Sequence, residues 1–147
     1  MYGFSEKIPL RGMLIMRVYR SGILIEEYRE HNLIVNTARF QMARLIAGNT
    51  DGRHITHIAF GTSGTESAAA DTAITGQYAR PITGISFPEN GKVQFDWELP
   101  VTENNGMAIR EFGLLTADGT LFARRARTNP INKESDISIE GHWIITF

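Results

Sequence analysis

The chain has 147 residues, 42% hydrophobic and 21% charged, a balance that suits one domain with its own core and argues against wholesale disorder. Its formal net charge of −1 gives no global pull toward nucleic acid or an anionic membrane, so neither is expected as a partner. It has no cysteine, which excludes a disulfide framework and thiol catalysis and fits a reducing compartment.

Residues 1–9 lack the basic and apolar regions of a signal peptide and show no period, so they read as an arm that orders against a partner. Arg11 to Arg20 is β-branched and aromatic, Ser21-Gly22 marks a turn, and Ile23 to Glu30 returns as a second strand: an N-terminal hairpin over 11–30. Apolar runs such as Met13 to Met16 are far too short to span a bilayer, and a soluble protein is expected.

His31 to Val35 leads into one helix, about 37–47. Asn36 or Thr37 can cap it, Ala38, Met42, Leu45 and Ile46 form its apolar stripe, and Gly48 sits at its C-terminal cap. Residues 54–147 are mainly β. His54 to Phe60 is a strand, Gly61 to Ala70 a surface loop, and Ile74 to Ile85 an extended edge segment containing Pro81. Val93, Phe95, Trp97, Leu99 and Val101 alternate with Lys92, Gln94, Asp96 and Glu98, as in a half-buried strand.

Met107 to Leu115 and Thr120 to Ala126 flank an Asp118-Gly119 turn, the strongest short hairpin signal. Thr128 to Asp136 is a polar connection. Ile137, Ile139, Trp143, Ile145 and Phe147 then share one face of a last strand, interrupted only by Gly141. The sum is a single α+β domain over 1–147: a predominantly antiparallel β-sheet or sandwich with one packed helix.

Chemistry-bearing constellations are weak. Gly61-Thr-Ser-Gly64 after a strand invites a phosphate-cradle reading, but the Lys-Ser/Thr of a P-loop is missing. His54 and His57 point to opposite faces of a strand, with no third ligand nearby, and His31 and His142 stand isolated. Asp96 and Glu98 share a face that is ordinarily wet, and no motif marks Ser63, Ser67 or Ser135 as a nucleophile. No catalytic residue, metal or cofactor is expected, and the chain reads as a non-enzyme.

Two features remain. Arg124, Arg125 and Arg127, with Lys133 beyond, form a basic cluster suited to protein contacts or to protecting a strand edge. The Arg110-Glu111 pair lies inside a strand. In simple alternation Glu111 points with Met107, Ile109, Gly113 and Leu115, whereas Arg110 joins Phe112 and Leu114. A carboxylate aimed inward needs a basic or backbone donor, within the fold or across a subunit boundary. Arg110, Glu111, Arg124, Arg125 and Arg127 are therefore the candidate interface residues.

Ile109 to Ala126 (IREFGLLTADGTLFARRA) and His54 to Glu66 (HITHIAFGTSGTE) resemble the N-terminal region of phage tail-collar fibre proteins, with matching spacing over about half the chain. His31 to Gly48 is similar to the leading helix of small tailed-phage virion proteins. The resemblance implies a structural virion component at the tail tip, baseplate or fibre attachment, with copies of itself and other virion proteins as partners. Fibre proteins continue into a shaft and tip, whereas this chain stops at Phe147 and starts with its own hairpin, so an adaptor or baseplate subunit is expected. A capsid cement protein is the alternative within that class. A carbohydrate- or receptor-binding module would draw on Trp97, Trp143 and Tyr78.

Overall fold

The computed structural model describes residues 10–147, and the arm expected at 1–9 lies outside them. The chain runs β1 (Arg11–Arg20), β2 (Ile23–Ile34), α1 (Asn36–Ile46), β3 (Ile55–Gly61), β4 (Tyr78–Pro81) and β5 (Gly84–Ser86). It continues through β6 (Lys92–Leu99), β7 (Ala108–Thr116), β8 (Leu121–Asn132) and β9 (Ile137–Thr146). The strands form one antiparallel sheet, ordered β4-β3-β7-β8-β2-β1-β9-β6-β5 and curled into a half-barrel. The outermost strands, β4 and β5, are consecutive. Between them the Ile82 amide donates to Thr56 O (3.0 Å) and the Thr83 amide to Asp96 O (2.7 Å). One short stretch of chain thus ties the two ends of the sheet.

Alternation fills the concave face. Leu14, Met16 and Val18 of β1, Phe95, Trp97 and Leu99 of β6, and Ile137, Ile139, Trp143 and Ile145 of β9 all join the main core. Phe60 meets Trp97 and Phe112 edge-on, with centroids 5.6 and 5.9 Å apart, a geometry that suits the ring quadrupoles. Gly141, which interrupts the apolar face of β9, is what admits Trp97. A Cβ there would stand 2.3 Å from the indole and 2.6 Å from Ile15 O. Val101 lies beyond β6 and is exposed, and Phe147 is 57% exposed rather than part of the core.

A smaller core of Val35, Ala59, Ile74, Leu115 and Leu121 lies on the opposite face. Strands β3 and β7 are therefore covered on both sides, which is why β7 reads as a nearly unbroken apolar run. Two expected boundaries move. His31 to Ile34 belongs to β2 rather than to a lead-in, and β8 continues to Asn132 through the expected connection.

The helix forms where its sequence places it, but it is held differently. Val35 occupies the N-cap without a side-chain bond; Asn36 N donates to Ala69 O, and the Thr37 hydroxyl donates to Leu121 O. The buried face centres on Ala38 and Gln41, while Ile46 is 89% exposed. The reason is polar. Gln41 Nε2 donates to both Asp118 oxygens (2.9 and 2.8 Å) and to Thr116 Oγ1 (3.1 Å), so the Asp-Gly turn lies beneath the helix. Gly48, at φ +87°, ends the helix in the left-handed conformation expected of it.

Candidate assembly interface

The five candidate residues separate into a buried group and a surface group. Glu111 is fully buried, as the cost of an inward carboxylate demands, and its partners are intramolecular. Arg124 Nε donates to Oε1 (3.2 Å), Ser63 N to Oε2 (2.5 Å) and Thr75 N to Oε1 (3.3 Å). Arg124, itself 4% exposed, also donates to Asp71 Oδ2 (3.0 Å) and Ser63 O (3.3 Å). The loop that looked like a phosphate cradle thus receives an anion, and that anion is the chain's own carboxylate. Gly61 permits the approach, because a Cβ there would sit 2.5 Å from Ile74 and 2.8 Å from the Glu111 side chain.

Simple alternation misplaces Ile109, whereas Gly113 and Leu115 keep the face it gives them with Glu111. Pairing with β8 shifts between Ile109 and Glu111, so Ile109 shares the main core with Phe112 and Leu114. Gly113 faces Ile74 on the other side, and half-buried Arg110 lies against Gly64. Asp71 and Thr75 left no mark in the sequence, and Ser63 only as part of the loop of residues 61–64, since their role exists only once a loop closes over a distant strand. Lys133 is no part of a basic surface. It is 1% exposed and donates to Val101 O, Asn105 Oδ1 and Glu134 O, and burial pushes its pKa down.

Arg125 and Arg127 stand where the sheet parts. β2 pairs with β8 only at Leu33 and Ile34, and beyond them side chains bridge the gap. Arg125 Nε donates to Tyr28 Oη (2.7 Å) and Nη1 to His31 O (3.1 Å); Arg127 forks onto the Glu26 carboxylate (2.8 and 3.1 Å). Both guanidinium carbons lie within 6 Å of the Tyr28 ring, at 5.9 and 5.1 Å, a cation–π arrangement. These contacts flank a cleft of about 570 Å³ that also meets Gly64, Glu66 and Ser67, and Ser67 Oγ is buried there without a partner among the described residues.

The parting leaves the outer backbone edge of β2, from Ile23 to Asn32, without a neighbouring strand among the described residues. An unpaired edge is a template for another chain. At its far end Ile23, Leu24 and Ile25 are 69%, 44% and 54% exposed. A register shift between Val18 and Tyr19 leaves Ile25 as an extra residue of β2 there and breaks the alternation. Three apolar residues in a row beside Ser21-Gly22 were the available signal.

The remaining candidates carry ordinary structural roles. His57 Nδ1 pairs with Thr56 Oγ1 (2.7 Å), and no group of three or more potential metal ligands occurs among the described residues. His142 is not isolated: Nδ1 lies 2.6 Å from Asp96 Oδ1, with Gln94 Nε2 2.9 Å from the same oxygen. Burial raises the Asp96 pKa, but the hydrogen bonds from Gln94 and His142 outweigh it and hold the carboxyl below its usual range. Glu98 meets Arg80 (3.6 Å). Trp97 and Trp143 are core residues, and Tyr78 donates to Glu103, leaving no aromatic platform at these positions. No helix among the described residues is long and apolar enough to cross a membrane. Comparison with known proteins finds no matching family model, no matching curated protein and no matching solved structure.

Proposed function

We propose that this chain is a non-enzymatic structural subunit of a tailed-phage virion, serving in the tail, the baseplate or the attachment of fibres. It acts by burying interfaces with copies of itself and with neighbouring virion proteins, assembled in the host cytoplasm. The observation that supports an interface role is the unpaired edge of β2 ending in exposed Ile23, Leu24 and Ile25, where apolar area and free backbone groups coincide. The placement in a phage tail rests on the motif resemblance in Ile109 to Ala126 and His54 to Glu66.

The test is to tag the chain in its native genetic setting and image labelled particles. Label at the tail end is the expected result. Label over the head would replace this reading with capsid decoration, and particles without label would overturn it.

A further inference from the structure

The chain contains two Asn-Gly pairs, Asn90-Gly91 and Asn105-Gly106. All four residues are exposed, both glycines have positive φ (+78° and +97°), and each pair turns the chain toward a strand, β6 or β7. This dipeptide carries a latent reaction. The backbone nitrogen that follows an asparagine can attack the side-chain amide carbon, and glycine, having no Cβ, leaves that approach open. As sequence the two pairs are alike. The fold makes them unequal.

At Asn105 every participating group is held. Nδ2 donates to Val101 O (3.1 Å), Oδ1 accepts from Lys133 Nζ (2.7 Å), and the attacking atom, Gly106 N, donates to Lys133 O (2.8 Å). The Lys133 ammonium polarises the Asn105 carbonyl, which favours attack, but the nitrogen that must attack it is turned to another acceptor. Lys133 is 1% exposed, so this clamp is anchored in the interior rather than on a surface side chain.

Asn90 has no such clamp. Among the described residues neither its side chain nor Gly91 N makes a hydrogen bond. The turn is closed around them instead: Lys92 N donates to Glu89 O (3.1 Å), Lys92 Nζ lies 3.4 Å from Glu89 Oε2, and Phe147 N donates to Gly91 O (2.8 Å). These contacts hold the flanks of the turn and leave its two reacting groups free. Packing does not confine them either, since a Cβ on Gly91 would meet only Phe147 O, at 3.6 Å.

We propose that Asn90 is a site of spontaneous deamidation in the folded protein, and that the Lys133 clamp protects Asn105 from the same reaction. Gly91 N gives its proton to solvent and bonds to Asn90 Cγ, and the side-chain nitrogen leaves as ammonia, closing a succinimide ring. Water then opens the ring at either carbonyl and leaves aspartate or isoaspartate at position 90. One water is consumed and one ammonia released, with no change of oxidation state. Each conversion takes the formal net charge from −1 to −2. Isoaspartate also lengthens the backbone at the turn that receives the Phe147 amide.

The test incubates the full chain in mildly alkaline buffer, folded in one sample and unfolded in guanidinium in the other, followed by tryptic digestion and mass spectrometry. Cleavage at Lys92 places Asn90 and Asn105 on different peptides. In the folded sample Asn90 should show the amide-to-acid mass change first. Asn105 should follow at least about ten-fold more slowly, because its three hydrogen bonds must open before it reacts. In the unfolded sample the two should convert at comparable rates. Folded protein in which Asn105 keeps pace with Asn90, or in which Asn90 stays intact while the unfolded chain converts, overturns the proposal. A rate gap that survives unfolding overturns the protective role of Lys133, since it would belong to local sequence rather than to the fold.

Discussion

At the scale of single residues, two carboxylates hold distant parts of the chain together. Glu111 draws Ser63, Thr75 and Arg124 onto one side chain, so removing it leaves Arg124 buried with Asp71 as its one remaining carboxylate. Breaking a buried pair from one side costs about 3–5 kcal/mol. Glu111→Ala should fall in that range by chemical denaturation, while Glu98→Ala, whose side chain is 56% exposed, should lie within about 1 kcal/mol of wild type. Equal losses would contradict the buried-network account. Asp118 is held far below its usual carboxylate range, first by hydrogen bonds from Thr116 and Gln41 and also by Thr120, against a desolvation that raises it. Because the folded value is depressed, its contribution is fully present above the unfolded pKa of about 4 and is lost as pH falls further. Thermal unfolding of wild type and Asp118→Asn should therefore differ by a constant amount at neutral pH and converge in acid. A gap that persists unchanged into strong acid would assign the stabilisation to something other than ionised Asp118.

At the scale of elements, the β2 edge and the Gly141 gap make opposite demands. Only alternate amides of β2 can face β1, so those facing away between Ile23 and Asn32 lack a strand partner among the described residues. In dilute protein, hydrogen exchange should show a two-residue alternation along β2, in contrast to β9, which is paired on both sides. Uniform protection along β2 would mean the edge is covered. Gly141→Ala forces a Cβ against Trp97 and the Ile15 carbonyl and should cost about 1–3 kcal/mol or more by overpacking, with Ser138→Ala as a near-neutral control. Elements of this kind were largely legible. Period-two alternation located β6 and β9, Asp118-Gly119 located the β7–β8 turn, and Gly48 located the helix end. Illegible were the choices that alternation and helical period do not encode. The shift at Arg110 re-sorted Ile109 from Glu111, and a polar turn turned the buried face of α1 toward Gln41. The closing of the 62–77 segment over Glu111 depends on contacts between positions far apart in sequence.

For the whole molecule, the order of the sheet makes its last strand central. β9 is inserted between β1 and β6, so the first and last strands are neighbours and the main core has no floor until both are present. The outer strands β4 and β5 are short and contribute few buried residues, although Ile82 and Thr83 between them join the two ends of the sheet. These facts rank two perturbations. Removing residues 137–147 exposes the unpaired edges of β1 and β6 and takes Ile137, Ile139, Trp143 and Ile145 from the core, so cooperative thermal unfolding should be lost and apolar dye binding should rise. Replacing Ile82 and Thr83 with Pro removes the two tying amides and the Ile82 side chain packed at the edge of the main core, and a sharp transition should survive at a lower midpoint. A cooperative transition in the truncated chain would show that β9 is dispensable to the β3–β7–β8 side, dividing what this topology makes one unit.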